Sequence, residues 1–440
     1  MIKNLFHNKV FKNAGWIISG KIIQMLINLV VGLITARYLG PSNYGLISYA
    51  GAYTAFFSSF CTLGINSVIV KELIDNPEKT GTIIGTTLGL RAVSSFLSAL
   101  TIICISFVVD ANEPVTIAVV ALCSIGVLFQ VFDTFNYWFQ AKLQSRTTAI
   151  VTLIAYVITA IYKVILLIEE KPVTYFALAT SIDYFCIAVL LFFCYKKYHG
   201  NKLSFSWNEG KDLLKKSVHF ILPGLMVAIY GQTDKIMLKH MISEAEVGYY
   251  STALSLCNMW CFILSAIIDS LYPPIMESNR VNKEDFDKKN RLLYAIVFYL
   301  SVVVSLIFTI FGKFIVKLLY GQDYLSAVSP LRVITWYTAF SYLGVARNAW
   351  IVCMNRQKYL KYLYVAAAAV NIVLNCALIP VLGATGAAIA SLSAQIITTF
   401  VIPFFIKDLR ENSVLMLEAI TFRGIRQKDS TALSKNEKNI

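Results

Sequence analysis

Charge is scarce in this sequence: 15% of its 440 residues are Asp, Glu, Lys or Arg, against 57% that are hydrophobic. Soluble domains carry roughly a quarter charged residues. The deficit therefore excludes a soluble globular protein, and a mean hydropathy of +0.65 agrees. No GxxxxGK[ST] pattern is present, which excludes direct use of ATP through a P-loop. The nine cysteines (61, 104, 123, 186, 194, 257, 261, 353 and 376) all fall in apolar stretches, without CxxC or His-paired spacing. The four histidines are scattered. Neither a disulfide framework, a metal site nor a cofactor is expected. Large polar segments are missing too. The longest external loop expected is 312–329, too short for a soluble catalytic domain, so an enzyme is not expected. The N-terminus has no short apolar core followed by small residues, so no cleavable signal peptide is expected. Instead Ile2, Leu5, Phe6 and Val10 alternate with Lys3, Lys9 and Lys12, the pattern of a short amphipathic segment on a membrane surface.

What is abundant is long apolar runs. A hydrocarbon core of ~30 Å takes about 20 residues of helix. Scanning on that length gives twelve segments: 14–36, 44–67, 82–108, 115–138, 148–168, 173–195, 218–238, 247–272, 291–311, 330–353, 359–380 and 386–406. The expected fold is an all-α integral membrane protein. The longest polar connection expected within the membrane region, 196–217, falls at the midpoint of the count. It divides an N-terminal lobe (1–195) from a C-terminal lobe (218–406), with a cytoplasmic tail over 407–440. With both termini in the cytoplasm, twenty-eight Lys and Arg fall on that side and six on the other. The positive-inside rule selects this orientation. It also accounts for the net charge of +14 without nucleic acid, because the basic excess faces anionic lipid.

The two halves carry matching segments. In 34–50 and 236–253, Arg37 matches Lys239, Tyr38 matches His240, Gly45 matches Gly248, Ser48 matches Ser251 and Ala50 matches Ala253, with one residue inserted. Halves of even helix count in the same orientation make a parallel repeat.

Nine ionisable residues lie inside the expected spans: Lys21, Arg91, Lys163, Lys235, Arg347, Asp133, Asp183, Asp234 and Asp269. Each costs at least ~2.5–3.5 kcal/mol at mid-bilayer, so such groups face a protein interior or a watery cavity unless they snorkel. Lys21 sits roughly 10 Å inside the boundary by the helical rise. Gln24 and Asn28 share its face. Lys21 either snorkels or lines a cavity with those amides. Arg91, Arg347 and Lys163 could complete a cationic lining suited to phosphate, or pair with acids on neighbouring helices. Asp133, in "QVFDTFNYWFQ", belongs either to an interfacial aromatic belt or to a sugar contact with Tyr137 and Trp138. Asp183 is an ion-pair partner or a protonatable carboxylate for ion coupling. Asp234 and Lys235 lie near the outer end of the seventh span, and Asp269 near the inner end of the eighth.

"ARYLGPSNYGLISYA" followed by "LGINSVIVKEL", "LPGLMVAIYGQTDKIMLKHMISEAEVGYYSTA" and "GATGAAIAS" resemble, in order, segments of the polysaccharide-transport family, the O-antigen and repeat-unit flippases. That family lies within the multidrug/oligosaccharidyl-lipid/polysaccharide exporter superfamily. The resemblance implies two six-helix bundles around a central cavity. It implies translocation of an undecaprenyl-pyrophosphate-linked oligosaccharide, for O-antigen, lipopolysaccharide or a related polysaccharide, from the cytoplasmic to the periplasmic leaflet of the cell inner membrane. It further implies alternating access, ion coupling, and polymerase and chain-length proteins of the same pathway as candidate partners. Lys21, Arg91 and Arg347 fit the pyrophosphate by depth and type. The rival readings are a drug/cation antiporter of the same superfamily and, in another class, a membrane polysaccharide polymerase or ligase.

Overall fold

A computed structural model describes residues 9–421. Of the expected surface segment the residues before Lys9 lie outside the described residues, as does the tail beyond Thr421. Among those described there are helices and no strands. They are α1 (Lys9–Thr62), α2 (Ile69–Asp75), α3 (Thr80–Val109), α4 (Pro114–Phe129), α5 (Thr134–Ala141), α6 (Ser145–Ile168), α7 (Val173–Lys197), α8 (Trp207–Met241), α9 (Glu244–Val281), α10 (Lys283–Tyr320), α11 (Val328–Cys353), α12 (Leu360–Ile396), α13 (Ile402–Phe405) and α14 (Lys407–Ile420). Nine helical stretches among the described residues are long and apolar enough to cross a membrane.

α1 would reach ~80 Å if straight, far more than a bilayer requires. It is broken at Gly40, whose φ of 68° leaves the helical region just before Pro41. An L side chain resists that conformation and Pro blocks continuation of the helix, so the sequence "LGPS" makes two arms from one run. Gly383 breaks α12 in the same manner.

The chain forms two compact units, one ending at Gly248 and the other starting at Tyr249. In the first, Ile65, Ile69, Ile83, Phe135, Trp138 and Tyr195 form the centre of a buried cluster. The residues matched between the repeats touch one another here. A Cβ on Gly45 would lie 1.9 Å from the Glu244 carbonyl oxygen, and one on Gly248 2.1 Å from the Pro41 carbonyl oxygen. Each glycine thus meets the residue four positions before its counterpart. This reciprocal contact is the mark of a two-fold relation, here between the start of α9 and the second arm of α1.

Most of the expected 196–217 connection is helical or tied down. α7 runs to Lys197 and α8 starts at Trp207. Between them an extended strap lies along α3. The Ser204 amide donates to the Gly81 carbonyl at 3.3 Å and the Ser206 amide to Thr86 Oγ1 at 3.0 Å. A Cβ at Gly81 or Gly85 would come within 2.1 or 2.4 Å of strap carbonyls. The "GTIIGTTLG" spacing of α3 is therefore a bed for this strap, through the close approach that small residues at i, i+4 allow.

In the second unit, Leu264, Tyr294, Leu343, Trp350 and Met416 are buried together. Residues 407–420 form α14 against this core: Asn412 Nδ2 donates to the Tyr294 hydroxyl at 2.6 Å, and Arg291 pairs with Glu418 at 2.9 Å. Asn375 donates to Asn371 Oδ1 and Asn371 to Ser391 Oγ, each at 3.1 Å, which ties together the two arms of α12.

Candidate functional site

A cavity of 230 Å³ opens in the first unit between α1, α6 and α7. Asn28 comes from α1, Tyr156, Thr159 and Lys163 from α6, and Thr180, Asp183 and Tyr184 from α7. Residues 156, 159, 160 and 163 recur at helical spacing, so α6 turns one continuous face into it. Thr159 Oγ1 donates to Asp183 Oδ1 at 3.5 Å. Lys163 and Asp183 are electrostatic neighbours, with no carboxylate at ion-pair distance from the ammonium among the described residues. A cation and a carboxylate inside apolar helices, in a space large enough for water, can hold a small ion or exchange a proton. The structure thus unites Asn28, Lys163 and Asp183, three residues that the sequence placed on separate helices.

The other candidates are placed elsewhere. Lys21 lies in α1, with its side chain outside the described residues, and Gln24 is half-buried on the same helix. Arg91, 2% exposed, donates from Nη2 to the Gln130 carbonyl at 2.9 Å and from Nη1 to Thr134 Oγ1 at 3.0 Å. The helix tightens there into a 3₁₀ turn over Gln130–Asp133, where carbonyls leave the α pattern and take other donors. Asp133 is the acid whose charge Arg91 faces. Arg347, 5% exposed, does the same for a π turn, Ile397–Val401, donating from Nη1 to the Thr398 carbonyl at 2.9 Å. Both arginines hold helix irregularities and neither lines this cavity. The cation-wall expectation for them gives way to backbone ligation.

Trp138 is 1% exposed, packed on Phe139 and Tyr195 with ring centroids 4.9 and 4.8 Å away, and Lys142 Nζ sits 4.1 Å over its ring. At that burial the ring has no surface open to a sugar, so a sugar contact there is replaced by a core role. Tyr137 is half-buried, with Asn66 against its hydroxyl. Asp234 is 3% exposed, Lys235 Nζ donates to Gln232 Oε1 at 3.2 Å, and Asp269 is exposed on α9 in the second unit.

A second charged cluster escaped the sequence reading. Lys239, in the last turn of α8, is enclosed by Asp110 at 3.4 Å, Glu113 and Glu244 at 3.6 Å. A cation at a helix C-terminus and an acid opening the next helix both suit the macrodipole. The Tyr49 hydroxyl lies 3.1 Å from Asp110 Oδ1, 3.0 Å from the Tyr53 hydroxyl and 2.8 Å from His240 Nε2. The ammonium of Lys239, bonded to Glu113, holds that carboxyl below the usual carboxylate range, and Thr116 Oγ1 donates to it at 2.7 Å. The available signal was Lys239 itself, the repeat partner of Arg37, opposite two acids in the short turn "VVDANEPV".

Comparison with known proteins gives the family and the fold. The family described as "Polysaccharide biosynthesis protein" matches residues 10–279. The Staphylococcus aureus capsular polysaccharide biosynthesis protein CapF is 19% identical over 409 residues, covering 90% of this chain and 99% of that one. A putative O-antigen transporter of Salmonella typhi is 24% identical over 162 residues, 37% of this chain and 35% of that one. Two solved structures share the fold. An inward-facing multidrug resistance MATE transporter of the MOP superfamily has TM-score 0.65, 15% identity and coverage of 89% and 95%. The lipid II flippase MurJ in an inward closed conformation has TM-score 0.65, 14% identity and coverage of 92% for both chains. With more than half of its length matched, this multi-pass membrane protein belongs to the polysaccharide biosynthesis protein family.

Proposed function

We propose that this protein is a flippase of the bacterial cytoplasmic membrane. It moves undecaprenyl-pyrophosphate-linked repeat units of O-antigen or a related polysaccharide from the cytoplasmic to the periplasmic leaflet by alternating access. The observation that carries the reading is the membrane-embedded cavity holding Lys163 opposite Asp183. A polar space inside apolar helices serves passage or ion exchange, and a buried cation with no carboxylate at ion-pair distance among the described residues keeps its capacity for a ligand. Family membership and the likeness to capsular and O-antigen proteins support the polysaccharide cargo. In this reading the arms of α1 and of α12 count separately. With α11 they bring the nine apolar stretches to twelve spans, in lobes 1–195 and 218–406 around a central cavity, with both termini cytoplasmic. Lys21 remains a further cation for the pyrophosphate, and Asp183 takes part in ion coupling. Pathway polymerase and chain-length proteins are its proposed partners. Drug or cation antiport draws on the fold of the multidrug transporter, but likeness at 15% identity carries fold alone.

The test is replacement of the resident flippase in a strain that makes the matching glycan. Wild type is expected to restore surface polysaccharide, and Lys163→Ala and Asp183→Ala, at equal membrane abundance, to cut it at least tenfold. Full restoration by both variants, or none by wild type, would overturn the proposal.

A further inference from the structure

A second opening in the first unit, of 420 Å³, lies between the end of α1's second arm and the start of α8. Its chemistry is unlike that of the Lys163 cavity. Ser58, Ser59, Thr62, Asn66 and Ser67 face it, Phe220, 46% exposed, also lines it, and none of its lining residues is ionisable. Ser58 Oγ serves the fold, donating to Gln130 Oε1 at 3.3 Å, while Thr62 Oγ1 donates to the Ser59 carbonyl at 3.2 Å and keeps its oxygen as an acceptor for a ligand hydroxyl. The hydroxyls of Ser59 and Ser67 are left for a ligand, and Asn66 carries the opening on to Tyr137.

Neutral donors and acceptors beside an aromatic face suit a molecule that alternates hydroxyls with apolar C–H surface. That describes a pyranose ring. A phosphate would call for Arg or Lys instead, and the groove supplies neither. Its volume is of the order that accommodates a small saccharide. The floor is built rather than accidental. Gln130, 6% exposed, takes the Ser58 hydrogen bond on one side and faces the Tyr184 hydroxyl, a lining group of the Lys163 cavity, on the other. Arg91 holds the same residue by its carbonyl. The neutral groove and the charged cavity therefore share one buried amide.

We infer that this groove is a carbohydrate subsite: Ser59, Thr62, Asn66 and Ser67 bond the first sugars of the cargo and Phe220 stacks on a ring face. The inference rests on the flippase reading above. It divides the work of recognition, with sugars read by the groove and the charged linkage bound elsewhere.

The test uses the full chain in lipid nanodiscs and two probes, undecaprenyl pyrophosphate and the same lipid bearing one N-acetylglucosamine. Wild type is expected to bind the sugar-bearing lipid about tenfold more tightly, the scale of one or two net hydrogen bonds and a ring contact. The triple variant Ser59→Ala, Thr62→Val, Ser67→Ala is expected to lose that increment and keep the affinity for the bare lipid. Phe220→Ala, at an exposed position whose loss spares the fold, is expected to lose about threefold for the sugar-bearing lipid alone. An absent increment in wild type, or one that survives in both variants, overturns the subsite while the flippase reading stands. Failure of wild type to bind either lipid overturns the flippase reading itself.

Discussion

Lys239 and Lys163 are both enclosed in the N-terminal unit, and they keep opposite company. Lys239, its side chain 4% exposed, has three carboxylates within 4 Å and a Tyr–Tyr–His network beside them. Lys163 has one acidic neighbour, Asp183, and a cavity in front of it. A buried cation that is fully paired holds elements together. Removing it strands its partners. A cation beside empty space keeps capacity for something that arrives. The comparison teaches that burial of a charge does not by itself mark a binding site; on the function proposed above, unspent pairing capacity does.

The strongest way to break the comparison is Lys239→Met. It leaves Asp110 buried without its ammonium, and a loss of about 3–5 kcal/mol is expected. That should read as a large drop in thermal unfolding temperature of the purified protein. Lys163→Met should cost less than about 1 kcal/mol, because the cavity beside Asp183 is large enough to admit water. Equal losses for the two would remove the distinction.

Next in size is Gly45→Ala, which drives a methyl into the Glu244 carbonyl. Helix separation of this kind is expected to cost about 1–3 kcal/mol, with Gly248→Ala matching it if the two-fold contact is real. Comparable unfolding temperatures for the pair, both below wild type, would sharpen the relation between the repeats.

The smallest effect concerns acid. Because Lys239 holds Glu113 below the ordinary carboxylate range, this group adds stability above that range and loses it as pH falls through its lowered value. The groups facing it are Lys239, Asp110, Glu244, His240 and Thr116. Glu113 is half exposed, so Glu113→Gln should cost no more than about 1 kcal/mol near neutrality. Its acid-unfolding curve should be flatter than that of wild type. A steeper curve would assign the acid sensitivity to another member of the cluster.

Particular residues show what could be read in advance. Gly40–Pro41 announced a break, and a repeated GxxxG spacing in α3 was present though unread; both act locally, where spacing suffices. Arg91 and Arg347 were legible as costly charges, but not as ligands of 3₁₀ and π turns, because those turns arise only when helices settle against neighbours. Trp138 carried the composition of a sugar platform, and only packing shows that its ring is buried. Asp110 and Glu113 lie in a short turn, and only the fold brings Lys239, about 130 residues away in the chain, into contact with them.

The sequence by itself determined the solvent, the helices and the kinship. The first two follow from one-dimensional quantities, run length against bilayer thickness and glycine and proline at breaks, and the kinship from short motifs in order. Tertiary structure alone decided which charges are spent and which are free. That depends on distances between helices far apart in the chain, and a few ångströms separate a latch at Lys239 from an open site at Lys163.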